Sequence, residues 1–493
     1  MKKNNLLSIF FISIAAFISR LLFLLKIPIF TDEAIYIRWA QIGLADPAQR
    51  YISLTDGKQP LFTWLMYPML KIFTDPLYAG RFVSVLSGVL AVVGIYLLAD
   101  ELFGKKIALY ASAAYIISPF TFLYDRLALM DSLLASIGIW ILYLEVLLVK
   151  NPRLDLSLLL GLTLGINLMN KSSSFLYIYL LPVSLMLFNK NKSNQVAKLL
   201  SWIGYAILSI FIAQIIYNSL RLSPWFYIIE QKNYSFIFTI QEFINKPFVV
   251  FLPNLNGLTS ILISYMTPII LLMVIIDLAI ALISKNKAVI FLFCCFLFPF
   301  LSLAAFGKVI FPRFILFMTM PLFLITGHMI FIILNRLQKV GILKIITILV
   351  IFAQAFWTSF TLLVNPVEAN IHIIDRKQLF DDWPSGWGVS DVIAYLKDKS
   401  QNNKIVIGTE GTFGLNPAVY EIYFNGSSNA EIYGFWPISQ IPEKLINKAD
   451  IYPTYLIFKE RQEIPDSWHL TLIKKIRRGK GDTFLLFYQV NKK

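Results

Sequence analysis

The sequence predicts a multi-pass α-helical membrane protein with one small α/β domain at its C-terminal end. Three observations predict it: a composition too apolar for water, about eleven apolar runs near spanning length, and a change to polar, punctuated sequence after residue 364. Hydrophobic residues make up 57% of the 493 and mean hydropathy is +0.67, so lipid must replace water over much of the chain. The 41 Phe, 23 Tyr and 10 Trp suit a bundle with rings between its helices and at headgroup level.

The first apolar run, Leu6 to Leu25, follows Met1-Lys2-Lys3-Asn4-Asn5. No small-residue cleavage site follows it, and it approaches the ~20 residues that cross a bilayer, so an uncleaved first span is expected over 5–25. Further spans are expected near 77–99, 107–123, 131–149, 155–170, 173–189, 199–217, 258–283, 288–306, 314–333 and 343–364. Only Asn170, Lys171 and three serines separate the fifth from the sixth, so that pair can also be one re-entrant hairpin.

The net charge of +15 falls mainly between these runs rather than on a folded basic face, which argues against a nucleic-acid partner. It reads as topology, since cytoplasmic loops carry Lys and Arg. Starting inside with Lys2 and Lys3, every second loop is basic: Lys105 and Lys106, then Lys150 and Arg153, then Lys190, Lys192 and Lys198. Lys285 and Lys287 continue the series, followed by Arg336, Lys339 and Lys344. A cytoplasmic N-terminus in a cell membrane is therefore expected, with long outer loops at 26–76 and 218–257 and everything past 365 outside. The expected organisation is a transmembrane domain over 1–364 and an extracytoplasmic α/β domain over 365–493.

In the second of these, runs beginning at Lys404, Thr454 and Thr483 read as strands, Ser390 to Lys399 has helical spacing, and Arg478-Gly-Lys-Gly-Asp is a hairpin turn. Cys294 and Cys295 are adjacent within an apolar run, so no disulfide framework is available. His328, His372 and His469 are scattered, so no His/Cys cluster offers a zinc site; the sequence requires no metal and leaves a divalent ion open.

The residues that could carry chemistry fall on the outer side. Thr31-Asp32-Glu33 follows the first span, and such an acidic pair can supply a base or simply cap a helix. Lys58 stands in the same loop, Arg81 at the outer end of the second span, Asp125, Arg126 and Asp131 between the third and fourth, Lys171 in the next outer turn, and Arg313 before the tenth. Ionisable groups at the membrane lip are costly, and several on one side mark a pocket, although each cation alone also serves as an interfacial anchor. Cations there could hold a phosphate whose lipid tail lies along the helices, while a carboxylate takes a proton from an incoming hydroxyl.

At these residues the sequence resembles the GT-C membrane glycosyltransferases, in particular the protein O-mannosyltransferase and aminoarabinose transferase group that uses polyprenyl-phosphate sugars. Asp32, Glu33 and Tyr36 match an Asp-Glu pair before an aromatic residue, and Gly57-Lys58-Gln59-Pro60 a Gly-Lys-Pro-Pro-like segment in which Gln59 replaces the first proline. Arg81-Phe82-Val83-Ser84, Arg126 to Asp131, and Arg313-Phe314-Ile315 with Pro321 are similar to further family segments. Lys171-Ser172-Ser173 looks like the family's Lys-Gly-Pro turn with serines in place of its small-residue-Pro form, and Pro384-Ser385-Gly386-Trp387-Gly388 like its entry to the soluble domain.

The resemblance implies a GT-C fold and an inverting transferase on the outer membrane face, with a polyprenyl-phosphate sugar as donor. It implies Asp32 as general base, Glu33 as the neighbour that orients the loop, and Asp131 as a second acidic residue of the site. Lys58, Arg81, Arg126 and Arg313 are then the phosphate and sugar contacts, with Lys171 behind them. The acceptor stays open among a protein hydroxyl, a glycolipid and a cell-envelope glycan. Trp383, Trp387 and Trp436 could stack on sugars, but core packing is the expectation for most of them. A transporter or flippase of lipid-linked sugars is the rival reading, and its charges would lie nearer the membrane midplane. A binding or assembly module with a mere anchor would need only one or two spans.

Overall fold

Run length and some of the prolines, Pro76, Pro119 and Pro268 among them, set where the apolar sequence is cut into helices, while Pro68, Pro299 and Pro321 lie within helices. The computed structural model describes residues 3–188, 194–245, 249–337 and 341–492. Lys2, Lys190, Lys192 and Lys339, used above for topology, lie outside the described residues. Among the described residues, six helices are long and apolar enough to cross a membrane: Pro76–Phe103, Met130–Lys150, Gln195–Leu222, Lys287–Phe306, Pro312–Arg336 and Gly341–Val364. Phe251–Met266 and Pro268–Ser284 pass as a pair bent by 107° at Thr267, which has a φ of 64°. Leu6–Leu21, Leu154–Leu168 and Ser172–Leu187 are apolar but shorter. The run expected to span at 107–123 is divided at Pro119 into Lys105–Ile117 and Pro119–Tyr124. By length and composition, six of the described helices qualify as spans, or seven with the bent pair, and the remaining expected spans fall on shorter or divided apolar helices. The protein is a multi-pass membrane protein.

The chain divides into two compact units. The first comprises Met1–Leu22, Tyr51–Phe62 and Val83–Val364. Within it, Met130–Lys150 and Pro312–Arg336 are apolar all round and largely buried, as central helices must be. Gly341–Val364 instead exposes Ile345, Leu349, Phe356 and Trp357, the pattern of a lipid-facing helix. Small residues set one close contact. Gly161 and Gly165 on Leu154–Leu168 leave no room for a side chain against Ile212 and Ile216 of Gln195–Asn218. Ser157 Oγ reinforces that approach by donating to Tyr205 O at 2.7 Å.

The second unit comprises Phe23–Arg50, Thr63–Phe82 and Asn365–Lys493. Its sheet holds β1 (Ile405–Glu410), β2 (Ala430–Phe435), β3 (Thr454–Phe458), β4 (Leu470–Arg477) and β5 (Phe484–Val490), in the order β2-β1-β3-β5-β4. β1 is parallel to β2 and β3, while β5 is antiparallel to β3 and β4. Val406, Leu445, Leu456, Phe458 and Leu486 form part of its core. The expected strands, helix (Val389–Asn402) and hairpin between β4 and β5 are present; β2 and the helices Leu415–Tyr423 and Glu443–Ala449 are additions.

The expected outer loop 26–76 is mostly helical, with Thr31–Ala45 and Leu61–Ile72. The first of these packs on Leu415–Tyr423, where Arg38 Nε meets Glu421 Oε2 at 3.0 Å and Gln41 Nε2 donates to Ile422 O at 2.9 Å. The expected outer loop 218–257 likewise holds the short helices Ile228–Phe236 and Ile240–Asn245, and the start of Phe251–Met266.

Candidate active site

In the second unit the site is built on the start of the helix Thr31–Ala45. Glu33 reaches back so that Oε2 accepts the Phe30 N–H at 2.8 Å, satisfying one donor that a helix start leaves open. The segment after Trp383 holds the strand-like entry: Thr31 donates through N and Oγ1 to Pro384 O, and Gly386 N donates to Ile29 O at 2.7 Å. A side chain at Gly386 would collide with Ile29, so glycine is required there. Asp32 stands half-buried in the first helical turn, where the helix dipole favours a carboxylate.

Glu33 and Arg81 are both fully buried and meet through two parallel bonds of 2.8 Å, Nε to Oε1 and Nη2 to Oε2. The remaining Arg81 donors go to Leu24 O and Ile27 O at 2.8 Å and Pro28 O at 3.0 Å. Every guanidinium N–H is thus engaged by the chain that leads into Asp32. Sequence reading assigns Arg81 to phosphate or sugar; the structure gives it the fixing of the Asp32 turn as its visible contacts.

In the first unit a second group forms around Phe236 and Phe314, whose rings lie 6.0 Å apart. Lys58 Nζ sits 5.1 Å from the centre of Phe236, Lys171 Nζ 4.9 Å from that of Phe314, and the Arg313 guanidinium 4.8 Å from Phe311 and 5.8 Å from Phe314. Lys171 Nζ also meets Asp131 Oδ1 at 2.6 Å, at the start of Met130–Lys150. Four of the expected residues, Lys58, Asp131, Lys171 and Arg313, therefore share one neighbourhood although they are spread over more than 250 positions. Their loops are tied locally: Gln59 Nε2 donates to Ser172 Oγ at 2.6 Å, Asn233 Nδ2 to the same oxygen at 3.2 Å, and Lys232 pairs with Asp56 at 2.5 Å.

Arg126 belongs to another group of the first unit. It is buried, lies 4.7 Å over Phe122 and donates through Nη2 to Leu22 O at 2.8 Å. Beside it is a network that sequence reading did not find. Arg20 Nε meets Asp125 Oδ2 at 3.3 Å, and Asp125 also accepts from Tyr115 at 2.9 Å and Ser132 at 2.5 Å. The available signal was a lone arginine near the end of an apolar helix. Such a charge is retained only when paired.

A cavity of about 430 Å³ opens among Phe238, Phe243, Val249, Val250 and Ala305, with Glu242 and Asn245 also lining it. None of the expected site residues lines it. Among the described residues no three His, Cys, Asp or Glu side chains gather as metal ligands would.

Residues 57–217 match the family model of dolichyl-phosphate-mannose-protein mannosyltransferases. ArnT from Cupriavidus metallidurans bound to undecaprenyl phosphate superposes with a TM-score of 0.57 at 12% identity, over 98% of this chain and 97% of that one. The same protein in the apo state gives 0.54 at 14% identity over the same shares. The chain has the GT-C fold. The archaeal oligosaccharyltransferase AglB from Archaeoglobus fulgidus, in complex with an inhibitory peptide and a dolichol-phosphate, is also similar, with a TM-score of 0.51 and 12% identity over 82% of this chain and 62% of that one. No curated protein sequence matches this GT-C chain.

Proposed function

We propose that this GT-C protein is an inverting glycosyltransferase that moves a sugar from a polyprenyl-phosphate carrier to an acceptor hydroxyl on the outer face of a cell membrane. The observation that carries the reading is the gathering of Lys58, Lys171 and Arg313 with Asp131 in a neighbourhood of a membrane bundle, where cations are costly unless they serve an anion. A departing phosphate is such an anion. ArnT bound to undecaprenyl phosphate and AglB with a dolichol-phosphate support a polyprenyl-phosphate donor.

In this reading an Asp32 carboxylate oxygen takes the acceptor proton as the acceptor oxygen bonds to the anomeric carbon. The bond from that carbon to the phosphate oxygen breaks, its electron pair leaves with the carrier phosphate, and the configuration inverts. Lys58, Lys171 and Arg313 neutralise the leaving group. Glu33 and Arg81 act through Asp32 by holding its turn, Asp131 orients Lys171, and Arg126 is a further contact for donor phosphate or sugar.

Sugar transfer from labelled polyprenyl-phosphate donors, compared between wild-type membranes and Asp32→Asn, tests the proposal. Asparagine keeps the size and removes the base. Loss of transfer by at least about 100-fold, with expression and donor binding retained, is the expected result. Full activity of the variant would move the base elsewhere.

A further inference from the structure

β1, β2 and β3 run parallel, so their carboxyl ends lie on one edge of the sheet. The chain leaves β1 toward β2 on one side and then crosses to β3 on the other, which places a topological switch point at that edge, where open α/β sheets bind ligands. Three large aromatic residues are exposed there. Phe413 follows β1 and is 56% exposed, Trp436 follows β2 and is 57% exposed, and Trp383 is 39% exposed with Lys459 Nζ, just past β3, 4.4 Å from its ring centre. The expectation of core packing is thus overturned for Trp383 and Trp436, while Trp387 is half-buried against Phe380.

Beneath the same edge lie buried polar groups without partners among the described residues: both side-chain atoms of Asn416, the Tyr420 hydroxyl, and Nε and Nη2 of Arg478. Arg478 reaches that edge because it follows β4, which runs parallel to β3 through the antiparallel β5. The start of the Asp32 helix is seated here as well. Thr31 donates to Pro384 O beside Trp383, Gly414 faces the Thr31 methyl, and Trp39 meets Phe413 at 6.3 Å.

We propose that this edge is the acceptor platform and that the acceptor is a carbohydrate. The inference rests on the transferase reading above and narrows it. Sugar rings offer apolar C–H faces to aromatic rings and hydroxyl groups to polar side chains, the mixture found here. A peptide acceptor would pair along a strand edge, whereas these rings crown strand ends. A lipid surface also attracts Trp and Phe, but Asp382, Glu410 and Glu460 offset Lys459, Arg461 and Arg478 here, so the edge offers no polybasic patch to an anionic bilayer.

The test uses the full chain in nanodiscs with a labelled polyprenyl-phosphate sugar and two acceptor pools from the same cell envelopes: oligosaccharides released by mild acid, and tryptic peptides. Label is expected in the oligosaccharides. W383A/F413A/W436A should raise the KM for them at least tenfold with kcat and donor KM within twofold, and W383F/W436F should bring KM back within threefold. Label in the peptides with an unchanged KM in the triple variant would overturn the proposal, as would a triple variant whose only defect is weaker lipid association. Absence of label in both pools would remove the transferase reading itself, and this inference with it.

Discussion

Replacing Arg81 by Met probes the structural logic of the Asp32 turn. The side chains of Arg81 and Glu33 are both 0% exposed, so Arg81→Met strands a carboxylate in the interior and leaves the carbonyls of Leu24, Ile27 and Pro28 without their donors. Removing one partner of a buried pair costs about 3–5 kcal/mol, chiefly because the other charge is left uncompensated. At about 2–4 °C per kcal/mol for a unit of 150–250 residues, the melting temperature should fall by roughly 6–20 °C. Fluorescence-detected unfolding of the full chain in detergent, at one fixed scan rate, reads this directly. The double variant E33Q/R81M removes both charges and should lose much less than the two single losses added together. If Arg81→Met melts within about 2 °C of wild type while donor KM rises, Arg81 is a substrate contact and the positioning role is wrong.

Two further outcomes follow from particular contacts. Lys171→Met should raise the KM for a polyprenyl-phosphate donor about 10–100-fold, the scale of one lost charged hydrogen bond; steady-state kinetics in nanodiscs measures it. Glu431 is held at about 2 by hydrogen bonds from Lys404, Lys448 and Tyr433, below the ordinary 4.5. A carboxylate depressed in the folded state stabilises above its unfolded pKa, and that contribution fades as pH falls from about 4.5 through about 2. K404M/K448M should therefore flatten the acid dependence of melting over this window, and a slope equal to wild type would contradict the assignment.

Much of the architecture was legible because it depends on local pattern. Apolar runs marked the helices, and Arg478-Gly-Lys-Gly-Asp marked a hairpin whose Gly479 takes a φ of 45°. The length of spans was less legible, because Pro119 and Thr267 break runs that hydropathy alone reads as continuous. Motif order offers Asp32, Glu33, Lys58, Asp131, Lys171 and Arg313 as candidates, but not how the charged ones pair. The Glu33–Arg81 and Asp131–Lys171 contacts join residues about 40 to 50 positions apart, and Arg20–Asp125 joins residues 105 apart. No local periodicity reports such closures. That Thr31–Ala45 packs with the C-terminal sheet, and that Trp383 and Trp436 stay exposed, are likewise consequences of tertiary contacts.

The central claim is cleavage of a polyprenyl-phosphate sugar with Asp32 as base. Its most direct measurement follows carrier phosphate release and sugar transfer together, using purified protein in sealed vesicles with donor lipid in the outer leaflet. Wild type should release polyprenyl monophosphate in step with sugar transferred, and Asp32→Asn should bind donor and release none. Movement of intact lipid-linked sugar between leaflets without phosphate release would contradict the account and make the protein a transporter.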